Sequence, residues 1–163
     1  YLTVNCLLLK CPVPFNQNTV REAANKDRKC QFTHLFHHLT QTLLEQSFWK
    51  LKRHSAAGCD GVTWEKYELD LHDHLEQLHH RLQNGRYKPK PARRVFIPKE
   101  DGSQRPLSII CLEDKIVQQA TVQVLNQIYE VDFMGFSYGF RPNRGQHDAL
   151  DAISVGIMKS KVK

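Results

Sequence analysis

The chain has 163 residues and a mass of 19.0 kDa, enough for one domain with a real core and short of two. Hydrophobic residues make up 40%, charged residues 25%, and the mean hydropathy is −0.52, which excludes a disordered chain and a membrane span. The net charge of +6 by itself fits a solvated surface and points to a polyanion partner only once it is located along the chain.

The first 30 residues show no sustained period, carry Pro12 and Pro14, and end in the mixed-charge run Arg21 to Lys29, so residues 1–30 are read as an N-terminal extension. They supply no convincing signal peptide. The five cysteines, Cys6, Cys11, Cys30, Cys59 and Cys111, lack the spacing of a zinc or redox motif and read as free thiols of an intracellular, cytoplasmic protein. His34 and His38 could share a helix face, but no third and fourth ligand follows, and no metal site is expected.

From Phe32, the residues Leu35, Phe36, Leu39, Leu43, Phe48 and Leu51 recur at mostly helical spacing and predict a helix ending near Lys52. A loop, Gly58-Cys59-Asp60-Gly61, follows, and Thr63 is placed to cap a second helix. Trp64, Tyr67, Leu71, Leu75, Leu78 and Leu82 form its core-facing stripe, and Asn84-Gly85 ends it with a left-handed turn.

Pro89 and Pro91 then forbid helix, and the period changes to two. Arg93, Val95 and Ile97 are expected on one face of a strand and Arg94 and Phe96 on the other; Asp101-Gly102 turns the chain, and Arg105 to Ile110 returns it. Between Arg86 and Arg105 seven cations face two anions, so +5 of the net +6 falls in 20 residues. The hairpin is therefore strongly basic, a clamp suited to phosphate.

A third helix is predicted from Leu112 to Phe133, with Ile116, Ala120, Val124 and Ile128 on one side. Gly135 to Arg144 is a loop rich in aromatics and arginine, and a fourth helix begins near Gln146 with Leu150, Ile153 and Ile157 inside. The fold class is α+β, helices flanking one basic β-hairpin. No phosphate loop ending in Gly-Lys-Ser/Thr and no nucleophile motif is present.

Three blocks together carry a family resemblance. The run from Tyr87 to Leu107, with Arg93-Arg94-Val95-Phe96-Ile97-Pro98-Lys99 and Arg105-Pro106-Leu107, resembles the fingers motif of group II intron reverse transcriptases. Gly58-Cys59-Asp60-Gly61-Val62-Thr63 resembles their more N-terminal motif. Phe136 to Arg144 with His147-Asp148-Ala149-Leu150 resembles their second fingers motif. The resemblance covers roughly residues 45 to 155, and departs from the family pattern at Ser108 and Ile110, where Gly and Pro are usual, and at Lys115, where Arg is common.

The resemblance implies that residues 31–163 are the fingers region of a right-hand polymerase, in a group II intron-type reverse transcriptase and maturase. It implies that Arg93, Lys99 and Arg105 contact the triphosphate of an incoming deoxynucleotide, and that the loop with Gly58, Asp60 and Gly61 lies over template RNA. The remaining cations, Arg86, Lys88, Arg94, Arg141 and Arg144, are read as nucleic-acid contacts. Partners would be intron or other template RNA, primer DNA and deoxynucleoside triphosphates, with no membrane. Polymerase chemistry needs two Mg²⁺ about 3.5–4 Å apart on carboxylates. The family supplies these from palm aspartates, and the sequence has no Asp-Asp pair; the first palm aspartate is expected within about ten residues beyond Lys163. The chain alone is accordingly expected to bind no catalytic metal, to have no catalytic residue of its own and to be inactive. A non-enzymatic RNA-binding module using the same hairpin is the alternative.

Overall fold

A computed structural model describes residues 17–27, 32 and 35–159. Helix α1 spans Gln17–Lys26, where the sequence shows no helical period, and packs on the long helix α5 (Leu112–Asp132) with Val20 and Ala24 buried. Residues 1–16, His34 and Cys30 lie outside the described residues.

The helix expected from Phe32 to Lys52 is two elements, a 3₁₀ turn over Leu35–His38 and helix α2 over Gln41–Trp49. The break has a local cause. The Thr40 hydroxyl accepts the Leu43 N–H at 3.2 Å and starts a new helix, the competition with the backbone that a Thr side chain offers. As a result Phe36 is turned out to solvent, while Leu39, Leu43 and Phe48 are buried.

The second predicted helix is also divided, into α3 (Trp64–Leu69) and α4 (Leu71–Gln83), because Asp70 leaves the helical region at φ −120°, ψ 39°. The bend exposes Leu69 and lets both halves of the apolar stripe reach the core. Trp64 stacks on Phe48 with ring centroids 4.6 Å apart, and Leu75, Leu78 and Leu82 are buried one after another along α4. Thr63 caps α3 as expected, accepting the Lys66 N–H at 3.3 Å, and Gly85 takes φ +64° to close α4.

Helix α5 matches its predicted span to one residue. Leu112, Ile116, Ala120 and Val124 recur every fourth position and join Leu43, Leu44 and Phe48 of α2 in the buried core. A buried polar chain crosses the same interface. Gln123 Nε2 donates to Ser47 Oγ at 2.7 Å, Ser47 Oγ to the Leu43 carbonyl at 2.7 Å, and Lys50 Nζ to Gln123 Oε1.

Helix α6 (Gln146–Lys159) begins where expected but buries nothing among the described residues. Leu150, Ile153 and Ile157, expected inside, are all exposed. Their helical spacing predicts a core-facing stripe, yet amphipathic period reports a face and not its partner. No helix of the described residues is long and apolar enough to cross a membrane.

Candidate nucleic-acid interface

Strands β1 (Arg93–Pro98) and β2 (Gln104–Ile109) form an antiparallel hairpin, with Arg93 opposite Ile109, Val95 opposite Leu107, Phe96 opposite Pro106 and Ile97 opposite Arg105. Opposed residues share a face, so Arg93, Val95, Ile97, Arg105 and Leu107 lie on one side and Arg94 and Phe96 on the other, as the sequence predicts. Arg93 and Arg105 are four ladder positions apart, roughly 13 Å along the strands. That is within the combined reach of two arginine side chains.

The tip is fixed by its own chemistry. Lys99 N–H donates to the Ser103 carbonyl at 2.8 Å, Gly102 takes φ +79°, and the Asp101 carboxylate accepts both the N–H (2.9 Å) and the hydroxyl (2.6 Å) of Ser103. Lys99 is therefore carried on a hydrogen-bonded turn.

Isolated two-stranded hairpins are marginal in water, and every residue of both strands except half-buried Ile109 is exposed. The anchor is at the base. Asp114, in the first turn of α5 and 4% exposed, accepts the Tyr87 hydroxyl and the Cys111 thiol on its two oxygens, the latter at 2.9 Å, and the Lys90 N–H at 3.3 Å. Its charge also sits at the positive end of the helix. Burial and the bond to Asp114 push the Cys111 thiol up to about 11 and raise the Tyr87 hydroxyl well above its usual range. Neither group ionises near neutral pH.

The Gly58–Gly61 loop docks at the same place. A Cβ on Gly58 would stand 2.8 Å from Cys111 Cα, so only glycine permits this approach to the start of α5. Asp60 accepts Lys90 Nζ at 3.0 Å and the Val62 N–H at 3.2 Å. Partial burial opposes the Asp60 charge, but those two bonds and the Lys90 ammonium outweigh it and hold the carboxyl below its ordinary value; the same bond raises Lys90. Gly58 and Asp60 thus have packing tasks, whereas Gly61, at φ +73°, faces open space.

The second arginine loop is built inward. Arg141 is 6% exposed in its side chain and gives Nε and Nη2 to Glu130 Oε1 at 3.0 and 2.6 Å and Nη1 to the Met134 and Ser137 carbonyls at 2.9 and 2.8 Å. Arg144 donates to the Gly135 carbonyl at 2.6 Å and lies over the Tyr138 ring at 5.3 Å. These arginines shape the loop.

By contrast, among the described residues Arg86, Lys88, Arg93, Arg94, Lys99 and Arg105 form no ion pair and no side-chain hydrogen bond. Six cations on and beside the hairpin are uncommitted. Asp114, Tyr87 and Cys111, which position them, are absent from the sequence-predicted set; an acidic residue in a helix's first turn signals only favourable dipole chemistry.

The Arg141–Glu130 pair makes a pH prediction. Its hydrogen bond from Arg141 holds Glu130 below the ordinary 4.5, so the stability it contributes is full above that value and is lost as pH falls through the lower folded value. Thermal melts of wild type and Glu130→Gln should differ by a constant amount above about pH 5.5 and converge in acid. A gap that persists unchanged at low pH would remove the charge from the account.

Among the described residues, the one group of metal-type donors within reach of a common ion is His72, Asp73 and Glu76, all exposed on α4. Asp60 and Asp114 are occupied by Lys90 and by Tyr87, Cys111 and the Lys90 N–H, so the hairpin base does not fit a two-metal carboxylate centre.

No protein-family model matches the chain. It is 44% identical over 100 residues to Protein YkfC of Escherichia coli, covering 61% of this chain and 26% of that protein. It is 32% identical over 124 residues to the group II intron-encoded protein LtrA of Lactococcus lactis subsp. cremoris, covering 75% of this chain and 21% of the relative. An uncharacterized 91 kDa protein in the cob intron of Schizosaccharomyces pombe is 40% identical over 104 residues, 64% of this chain and 13% of that protein. The chain thus spans about a quarter or less of the length of these curated relatives.

Proposed function

Because this chain belongs to the family of group II intron-encoded reverse transcriptases and maturases, we propose that its hairpin is the fingers element of an RNA-directed DNA polymerase, holding template RNA and the incoming nucleotide. The observation that carries this reading is the set of six uncommitted cations on a hairpin anchored through Asp114. Arg93 and Arg105 on one face, with Lys99 at the tip, grip the triphosphate. Arg86, Lys88 and Arg94 take RNA phosphates. Gly58, Asp60 and Gly61 form a loop beside the hairpin base against the template. Arg141 and Arg144 support the fingers through the loop they brace. Intron RNA, primer DNA and deoxynucleoside triphosphates are the partners of the whole protein, and Mg²⁺ is held by carboxylates outside this chain.

Binding of the 163-residue chain to single-stranded RNA should weaken steeply with salt. Counterion release contributes about −0.7 per neutralised phosphate, or a slope of about −4 if all six cations are engaged. Fluorescence anisotropy titrations between low and moderate salt measure it. Binding insensitive to salt would remove the hairpin from the interface.

On a primed RNA template with Mg²⁺ the same chain should extend no primer, since its sequence has no Asp-Asp pair and Asp60 and Asp114 at the hairpin base are already taken by Lys90, Tyr87 and Cys111. Template-dependent extension by the purified chain would overturn that assignment. An RNA-binding module without polymerase activity shares the first result, and activity restored in a longer protein of the same family separates the two.

A further inference from the structure

The two faces of the hairpin are chemically different. One carries Arg93 and Arg105 around the aliphatic residues Val95, Ile97 and Leu107. The other carries Arg94 and, two residues along, Phe96, whose cross-strand partner is Pro106. Phe96 is 56% exposed, and among the described residues no ring packs on it and no cation lies over it. Exposed Phe133 and half-buried Tyr138 already have an arginine over the ring, Arg141 at 5.0 Å and Arg144 at 5.3 Å. Phe96 keeps an open ring face beside an open guanidinium.

We propose that the Arg94–Phe96 face is a stacking platform for one unpaired base of single-stranded RNA, with Arg94 on the adjoining phosphate. This rests on the reading of the hairpin as a nucleic-acid clamp and adds a second, opposite face to it. Charge selects the occupant. The segment holds +5 of the chain's net charge, and a protein partner meeting Phe96 would have to bring acidic groups to Arg94, whereas RNA supplies phosphate and aromatic surface together. An aromatic side chain beside a cationic track is how single strands are bound without sequence preference, because every base has a π-face. Pro106 opposite Phe96 donates no N–H and holds its strand rigid, so the ring is presented on a stiff ladder position.

The test uses the whole 163-residue chain and a single-stranded RNA oligomer carrying 2-aminopurine, whose fluorescence falls when it stacks. Wild type should quench the probe, and a fully paired version of the oligomer should not be quenched. Phe96→Ala should weaken binding about 5- to 150-fold and abolish the quench without altering the salt slope. Phe96→Tyr should retain both, and Phe96→Leu, apolar but without a ring, should lose the quench. Arg94→Ala should reduce the salt slope by about 0.7 and keep the quench. If wild type binds with the expected salt dependence but Phe96→Ala binds and quenches equally, the platform is refuted and the clamp stands. If wild type does not bind RNA at all, clamp and platform fall together.

Discussion

Replacing Asp114 by Ala should cost roughly 3–5 kcal/mol of folding stability, the largest loss expected from a single polar side chain here. Its carboxylate holds the Tyr87 hydroxyl, the Cys111 thiol and the Lys90 N–H at a buried position. Bonds to a charged acceptor contribute about 1.5–3 kcal/mol each, and an alanine leaves the donors unpaired. For a chain of this size that is about 10 °C in Tm. Tyr87→Phe removes one donor with its partner still satisfied by the others and should cost about 1–2 kcal/mol. The double variant should be less destabilised than the sum, because the two share one bond. Hydrogen exchange supplies the structural readout: amides of 93–109 should exchange faster in Asp114→Ala, while those of α4 keep their order of protection. Equal protection of the hairpin in both proteins would mean that it does not depend on this anchor.

The second large effect concerns nucleotide use in a protein that carries the catalytic carboxylates. If Lys99 and Arg105 hold the triphosphate, Ala at either position removes a charge-assisted contact of about 1.5–3 kcal/mol, a ten- to hundredfold drop in kcat/KM for nucleotide. Lys at position 105 should recover only part of it, since an ammonium cannot reproduce the two parallel donors of a guanidinium. Neither side chain has a partner among the described residues, so the changes should leave Tm nearly unmoved. Steady-state kinetics with varied nucleotide and varied template divides the outcomes. A loss confined to template affinity would move these cations to the RNA backbone, and no loss in either would leave them as surface charge.

Much of this was legible in the residues alone. The hairpin, its facing pattern and its turn follow from period-two alternation between Pro91 and Ile110 and from Asp101-Gly102, and the span of α5 from a four-residue apolar step. Thr63 and Gly85 announce their caps because capping is decided within one turn of helix. The breaks at Thr40 and Asp70 were hidden, since the apolar period runs unbroken through both and masks the local cap that Thr40 offers to Leu43. The outward face of α6 was hidden for the complementary reason: a periodic stripe is the same whether or not something covers it. The division of the cations is the clearest case. Arg81, Lys90 and Arg141 are bound to Glu113, Asp60 and Glu130, while Arg93, Arg94, Lys99 and Arg105 remain unpaired, and nothing in a residue's identity distinguishes the two sets. Sequence fixes where charge is placed along the chain; which charge is free to meet a ligand depends on carboxylates brought beside it from 11 to 32 residues away, and only the tertiary fold makes those pairs.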